Sequence, residues 1–434
     1  MDESEVPGAV VAIGFLFLGV VYLRLFNRYV GWSAPLFGLS VAVGWLFLLP
    51  SRLFLDFSGV LEAGRWVVMI LAAVMSFIAA ARLGSGIGVR LALIPLLILS
   101  FLFATALWSV APSLTLERAG AVMVLAAAVM STLWYVGDSL PDMERAMKAI
   151  VMPVIVLFWA LALVYGFDMS FYEKGLWRTP GPMLNPNSIA TISALLAPIA
   201  HYLWREGGRG RRLWSIALFT FLGMIVLSGS RTGLLAVIAA MGFVMAARTR
   251  SPSAVVLLLP CLGFVGYVLW EMTGFQEALE TYLRVEFLST GSGRLEAWAA
   301  GIQLLGDRIW FGYGFGTEDL LFALFNFVFE IHQGEYVHNS YLGLALQIGI
   351  VAAPLVFLWM LAISVKGLRA GLAYRDRITI ALEATVISGL TLALGESWFY
   401  SAGNAYSLPF WLLFGILVQR MRSLRSFAQL DGAR

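Results

Sequence analysis

Charge and cysteine are scarce in this sequence. Of 434 residues only 13% are charged and one is a cysteine. That lone Cys261 lies inside an apolar run, which excludes an intrachain disulfide and any cysteine-based metal site. Basic residues form no continuous face: the net charge of +3 is spread over short loops between apolar runs, which excludes a nucleic-acid partner. Histidine occurs three times, and one of the three, His338, stands at the mouth of an apolar helix in "GEYVHNSYLGLALQIGI", 334–350. That position demands a reason.

What the sequence has in abundance is apolar length. Hydrophobic residues make up 60% of the chain and the mean hydropathy is +0.85. Runs long enough to cross a bilayer fall at 8–26, 33–50, 66–82, 90–110, 118–137, 147–166, 188–204, 213–229, 232–247, 253–272, 339–364, 378–395 and 407–420, about twelve or thirteen in all. The fold class expected is an all-α, polytopic integral membrane protein with an extramembrane cap. Residues 1–272 form the N-terminal transmembrane bundle, 273–337 the cap, 338–420 the C-terminal transmembrane helices and 421–434 a cytoplasmic tail. No small-residue cleavage site precedes the first span, so that span is expected to stay as an anchor.

Basic residues orient the bundle. Arg205, Arg209, Arg211 and Arg212, then Arg248 and Arg250, then Lys366, Arg369, Arg375 and Arg377, and finally Arg420, Arg422 and Arg425 mark cytoplasmic segments. Alternation puts 167–187, the "SGSRTG" junction at 228–233, the cap and the turn "GESWFYSAG" outside. Whether "MDESE" starts inside or outside depends on the span count.

The unusual polar residues gather on that outer side, where ionisable groups at membrane depth are costly and therefore functional candidates. In "RTPGPMLNPNSIA", 178–190, Arg178 precedes a proline-glycine turn, and Asn187 and Ser188 are placed to cap a helix and leave its amides for an anion. The plain alternative is a cap and nothing more. Arg231 in "LSGSRTGLLA" is on the side where positive charge is disfavoured, which weakens its reading as a snorkelling topology marker. "GSGRLEAW" puts Arg294 and Glu296 in the first turn of a helix, with a surface ion pair the simpler reading of Glu296. Glu117 beside Arg118 reads as a local ion pair. "GYGFG", 312–316, lacks the Lys-Ser/Thr of a nucleotide phosphate loop and is expected to be a flexible turn. His338, followed by Asn339, is the natural general base, because an imidazole titrates near neutrality and accepts a hydroxyl proton. His332 competes for that role and ranks lower, since it is not at a span entrance. Several arginines on one face suit a diphosphate, which guanidinium groups bind bidentately without losing charge.

In this order, "LNPNSIA", "SGSRTGLLA", "GRLEAW", "GYGFG" and "VHNSYLGLALQIG" resemble the bacterial O-antigen ligase and O-antigen polymerase superfamily, over roughly 178–350. The resemblance implies a C-type glycosyltransferase architecture in the bacterial inner membrane. It implies an inverting enzyme, without metal or cofactor, acting at the periplasmic face on a glycan carried by undecaprenyl diphosphate. It carries the family's histidine onto His338 and its functional arginines onto Arg231 and Arg294, with Arg178, Asn187 and Asn339 as supporting binding residues. The exopolysaccharide-polymerase branch fits "GYGFG" and "HNSYLGLALQIGI" best, so polymerisation of repeat units is expected. Ligation of the glycan to lipid A-core, or transfer to protein, is the alternative within the superfamily. The absence of an Asp-x-Asp pair from the cap argues against a metal-bound nucleotide-sugar donor. A lipid-linked glycan transporter or flippase is the rival of another class, but no repeat relates the two halves. Membrane lipid surrounds the chain, and a monomer suffices because every proposed group comes from one chain.

Overall fold

The computed structural model describes residues 8–51, 53–83, 89–166, 181–206, 208, 210–248, 293–332 and 334–431. The expected span 253–272 and the first part of the cap, 273–292, lie outside the described residues. Among the described residues the structure is helical, with one isolated β-bridge, Ser51 to Met183. The helices are α1 (Gly8–Tyr29), α2 (Ala34–Leu48), α3 (Leu53–Leu83), α4 (Val89–Ala104), α5 (Pro112–Val136), α6 (Leu140–Tyr165), α7 (Pro186–Glu206), α8 (Arg211–Leu227) and α9 (Arg231–Arg248). After the undescribed stretch come α10 (Arg294–Asp307), α11 (Glu318–Leu324), α12 (Ser340–Tyr374), α13 (Arg377–Leu392) and α14 (Ser407–Asp431).

Every other expected span coincides with one of these helices. Five stretches are long and apolar enough to cross a membrane by themselves: Ser58–Leu83, Pro112–Val136, Leu140–Tyr165, Arg231–Arg248 and Ser340–Tyr374. Their outward faces are greasy. Ile70 and Phe77 on α3, Ile238 on α9 and Leu355 and Leu358 on α12 are all exposed, an arrangement that lipid solvates and water does not. This is an all-α polytopic membrane protein.

At the centre stand α7 and α13, each buried over most of its length. Between apolar helices in lipid the hydrophobic effect gives little, so close packing of small residues and interhelical hydrogen bonds hold the pair. Ala190, Ala194, Ala197 and Ala200 line α7, and Ser388 and Thr385 of α13 donate to the carbonyls of Ala194 (2.8 Å) and Leu195 (3.2 Å). The helix α9 packs against both. Its N-terminus, and the C-terminal end of α13, are thereby fixed at the same end of the bundle.

The helix α12 is broken within its apolar run. Gly349 has φ 74° and ψ 173°, a conformation open essentially to glycine alone. A break in a span frees backbone carbonyls that lipid cannot satisfy. The "GYGFG" segment satisfies them: Tyr313 N–H donates to Leu346 O (2.8 Å), Gly314 N–H to Gln347 O (2.9 Å), and Ile350 N–H in return to Ile309 O (2.9 Å). Gly312, Gly314 and Gly316 all have positive φ, and Tyr313 and Phe315 between them are buried. The segment is a turn, as expected, but a packed one rather than a flexible one: its backbone is committed to the break. The turn before α5 is pinned to it as well, through Val110 N–H to Tyr313 O (2.9 Å) and Phe315 N–H to Thr105 Oγ1 (3.0 Å).

A Cβ on Gly349 would lie 2.0 Å from the Trp310 carbonyl oxygen. Gly349→Ala is expected to cost about 2–4 kcal/mol through strain and collision together. Gly306→Ala, whose Cβ would meet nothing within 4 Å, is its control. Thermal unfolding in detergent checks the pair; a Gly349→Ala midpoint equal to that of Gly306→Ala would show that the break is not required.

Candidate active site

Four separate chain segments meet at the end of the bundle where α9, α10 and α12 begin. Arg231 and Thr232 open α9, Arg294 opens α10, His338 immediately precedes the cap of α12, and Glu396 lies between α13 and α14. Arg294 Nη2 is 2.7 Å from Glu396 Oε1, and its Nη1 donates to Thr232 Oγ1 at 3.3 Å. The other oxygen of the same carboxylate, Oε2, is 3.6 Å from His338 Nδ1. That separation is longer than a hydrogen bond, and it becomes an ion pair only when the imidazole takes a proton. Arg231, half-buried, is close enough to Arg294 for their like charges to repel. The N-termini of three helices add partial positive charge to the two guanidinium groups, and the result is a cationic cluster.

Each member is held locally. Asn339 is the N-cap of α12, and its Oδ1 accepts from Tyr341 N–H (3.0 Å) and Leu342 N–H (3.1 Å). Its carbonyl is therefore engaged by the cap, and the amide nitrogen is the end with which it can reach a ligand. His338, just before that cap, has φ 49°, an uncommon conformation for a non-glycine residue and a local store of strain. Glu396 is fixed by its backbone: its carbonyl accepts from Ser340 Oγ (2.6 Å), while Ser397 Oγ accepts from Asn339 N–H (3.1 Å). The loop that carries Glu396 is thus laced to the start of α12.

Beside this cluster lies a second carboxyl in a different setting. Glu318, at the start of α11, is 4% exposed and receives Val337 N–H (3.0 Å) and Ser397 Oγ (2.7 Å) on Oε1, and Tyr400 OH and Gln347 Nε2 (3.4 Å) on Oε2. Burial pushes its pKa above the usual carboxylate range and outweighs the donors, which pull the other way. This group ties α11, α12 and the α13–α14 loop together and does not face the arginines.

His332 is buried among Phe322 and Phe329, and its ring centroid is 5.7 Å from that of His338. Burial, and then the neighbouring His338, hold its pKa below the ordinary value. Glu296 is not in a surface ion pair. Its Oε2 accepts the backbone N–H of His332 (2.9 Å) and of Ile331 (3.0 Å), which holds its carboxyl below the usual range. It splints the segment that leads to His338. Arg118 pairs with Asp319 (2.9 Å) rather than with Glu117, and so joins α5 to α11.

The structure therefore brings together Arg231, Arg294, His338 and Asn339. Asn187 is in the first turn of α7, but the cap there is Asn185, whose Oδ1 accepts from Asn187 N–H (2.8 Å). The next residue, Ser188, bonds to Tyr406 OH (2.9 Å), which puts this turn on the margin of the cluster. Arg178 lies outside the described residues. Glu396 was not singled out from the sequence. A signal was present, since an acidic residue stands alone in the short apolar turn "GESWFYSAG".

Glu318→Ala would leave four donors without an acceptor and is expected to lower stability by about 2–5 kcal/mol, with Glu318→Gln costing less. Because the folded-state pKa is raised, this carboxyl's stabilising contribution is present below the unfolded carboxylate pKa and is lost as pH rises through the raised value. Thermal unfolding across pH should show wild type losing stability as pH rises from the ordinary carboxylate range through the raised value, and Glu318→Gln losing less. Parallel curves would contradict a raised pKa at Glu318.

Residues 216–357 match the family model for O-antigen ligase. The matched segment runs from α8 past the break in α12, and so takes in Arg231, Arg294, His338 and Asn339 but not Glu396. The match likens this part of the chain to the O-antigen ligase family, in line with the resemblance drawn from the motifs. No curated protein matches the chain.

Proposed function

We propose that this chain is an inverting membrane glycosyltransferase that extends a glycan carried on undecaprenyl diphosphate, acting at the periplasmic face of the bacterial inner membrane. The observation that carries the reading is the joining of Arg294 and His338 through one carboxylate, with Arg231 alongside. A diphosphate leaving group needs fixed positive charge that never titrates away, and two guanidinium groups supply it. A hydroxyl nucleophile needs a base beside it, and the imidazole of His338 is within reach of the same cluster.

The step is a single displacement. The acceptor hydroxyl oxygen bonds to the anomeric carbon while the bond from that carbon to the diphosphate oxygen breaks, and its electron pair leaves with the lipid diphosphate. The acceptor proton passes to His338. Arg231 and Arg294 stabilise the charge that grows on the leaving group. Inversion follows from attack opposite the leaving group, and no enzyme nucleophile is used. Asn187, Asn339 and Arg178 are the supporting residues for sugar and phosphate contacts. The acceptor in this reading is a second lipid-linked repeat unit.

Purified protein in liposomes with an undecaprenyl-diphosphate-linked glycan tests the reading by diphosphate-lipid release and product size. His338→Ala is expected to lower release by about 10²–10⁴-fold with donor binding kept, and Arg294→Ala to weaken donor binding as well. A ladder of products without added lipid A-core marks a polymerase; transfer only on addition of lipid A-core marks a ligase and replaces the acceptor named above. Wild-type release by His338→Ala removes it as the base.

A further inference from the structure

Glu396 holds an arginine with one oxygen and faces an imidazole with the other, and that geometry is unequal. The contact to Arg294 is a 2.7 Å charge-assisted hydrogen bond, while the approach to His338 Nδ1 stops at 3.6 Å. In this structure the carboxylate belongs to the arginine. It occupies the place at Arg294 that an incoming anion needs.

The other nitrogen of His338 lies beside Gly334. A Cβ placed on Gly334 would stand 3.5 Å from His338 Nε2 and 3.8 Å from His332 Nε2, so a side chain there would pack against both imidazoles. With Nδ1 toward a carboxylate, the ring can take a proton at Nε2 and stabilise the resulting imidazolium at Nδ1.

We propose that Glu396 is a positioning residue that transfers its charge from Arg294 to His338 when a lipid-linked diphosphate binds, so that the base is fully engaged only when the donor is in place. The inference rests on the reading of His338 as base and Arg294 as diphosphate ligand. The diphosphate competes for Arg294 and takes over its Nη2. The freed carboxylate closes the remaining gap to Nδ1–H, fixes the tautomer with Nε2 toward the acceptor hydroxyl, and balances the positive charge as the proton arrives. No atom of Glu396 touches substrate. Thr232 steadies Arg294 from its other nitrogen during the exchange.

Other ionisable groups around His338 are accounted for. Arg231 on α9 and Arg294 on α10 repel each other beside it, and His332 in the preceding segment interacts with it electrostatically. Glu318 on α11 acts on it through space, with Tyr400 and Tyr336 around that carboxyl. Of these, Glu396 alone contacts both His338 and a donor-binding arginine.

The test compares Glu396→Gln, Glu396→Asp and Thr232→Val in the liposome assay, with binding of undecaprenyl diphosphate measured on detergent-purified protein. Glu396→Gln removes the competing anion and the partner of Nδ1 together. Its kcat is expected to fall at least about tenfold, with undecaprenyl diphosphate bound as tightly as by wild type or tighter. The acid limb of its rate–pH profile should move to lower pH, because a carboxylate beside an imidazole favours the protonated ring and its removal disfavours it. Glu396→Asp, which keeps the charge, should restore the position of that limb. Thr232→Val should weaken diphosphate binding and leave the limb where it is. Weaker diphosphate binding by Glu396→Gln, or an unmoved limb with wild-type kcat, overturns the proposal. If Glu396→Gln does not fold, Glu396→Asp carries the test: lowered kcat with donor binding kept supports the exchange, and lost binding with kcat kept overturns it. His338→Ala in the same assay separates the two levels. An active His338→Ala removes the base assignment itself, whereas an inactive one beside an unaffected Glu396→Gln overturns the exchange alone.

Discussion

The break in α12 at Gly349 is the constraint on which the rest depends. A helix that stops hydrogen bonding to itself inside an apolar run must find partners in protein, because lipid offers none. The partners come from the 309–316 backbone, which donates to Leu346 and Gln347 and accepts from Ile350. That exchange fastens the cap to the membrane helices at a point set by the chain itself. Once it is made, α10 and α11 on one side and the 340–348 segment on the other have fixed places. The short turn carrying His338 joins them.

Two carboxyls then divide the work by environment. Glu318 is enclosed by donors from Val337, Ser397, Tyr400 and Gln347, and burial pushes its pKa above the usual carboxylate range. Glu396 is partly exposed and paired to the partly exposed Arg294. The first is a joint and the second is a charge. Ser397 connects them, since it accepts from Asn339 N–H and donates to Glu318. The position of Glu396, one residue earlier, is thereby set by the buried joint. Different surroundings give two identical side chains different duties, the pattern by which acid and base roles are commonly separated in enzyme sites.

Most of the helical frame was legible in the sequence because span length and apolar content are imposed by the bilayer itself. That Arg231, Arg294 and His338 would stand out as candidates was legible for a related reason. Arg231, Arg294 and His338 are expensive at a membrane boundary, and expense marks function. What escaped was pairing. Nothing in "GRLEAW" says that Arg294 will prefer a glutamate about a hundred residues away to Glu296 two positions on, or that Glu296 will bind backbone at Ile331 and His332. The role of "GYGFG" escaped for the same reason. Glycines permit both a loose turn and a close backbone approach, and only the broken helix beneath them decides between the two. The apolar pattern of 339–364 gives no sign of that break, since one glycine does not interrupt hydropathy.

The electrostatics of the arginine cluster give Glu396 a duty before any chemistry is considered. Arg231 and Arg294 repel each other, and α9, α10 and α12 all begin at the cluster. One internal carboxylate, bound to Arg294, offsets part of that charge. On the proposed reading two guanidinium groups still outnumber it, so that a diphosphate with more than one negative charge outcompetes it where a single carboxylate does not. On that reading the residue that offsets the repulsion also sets a threshold for what displaces it, and selectivity for a multiply charged leaving group follows from the proposal.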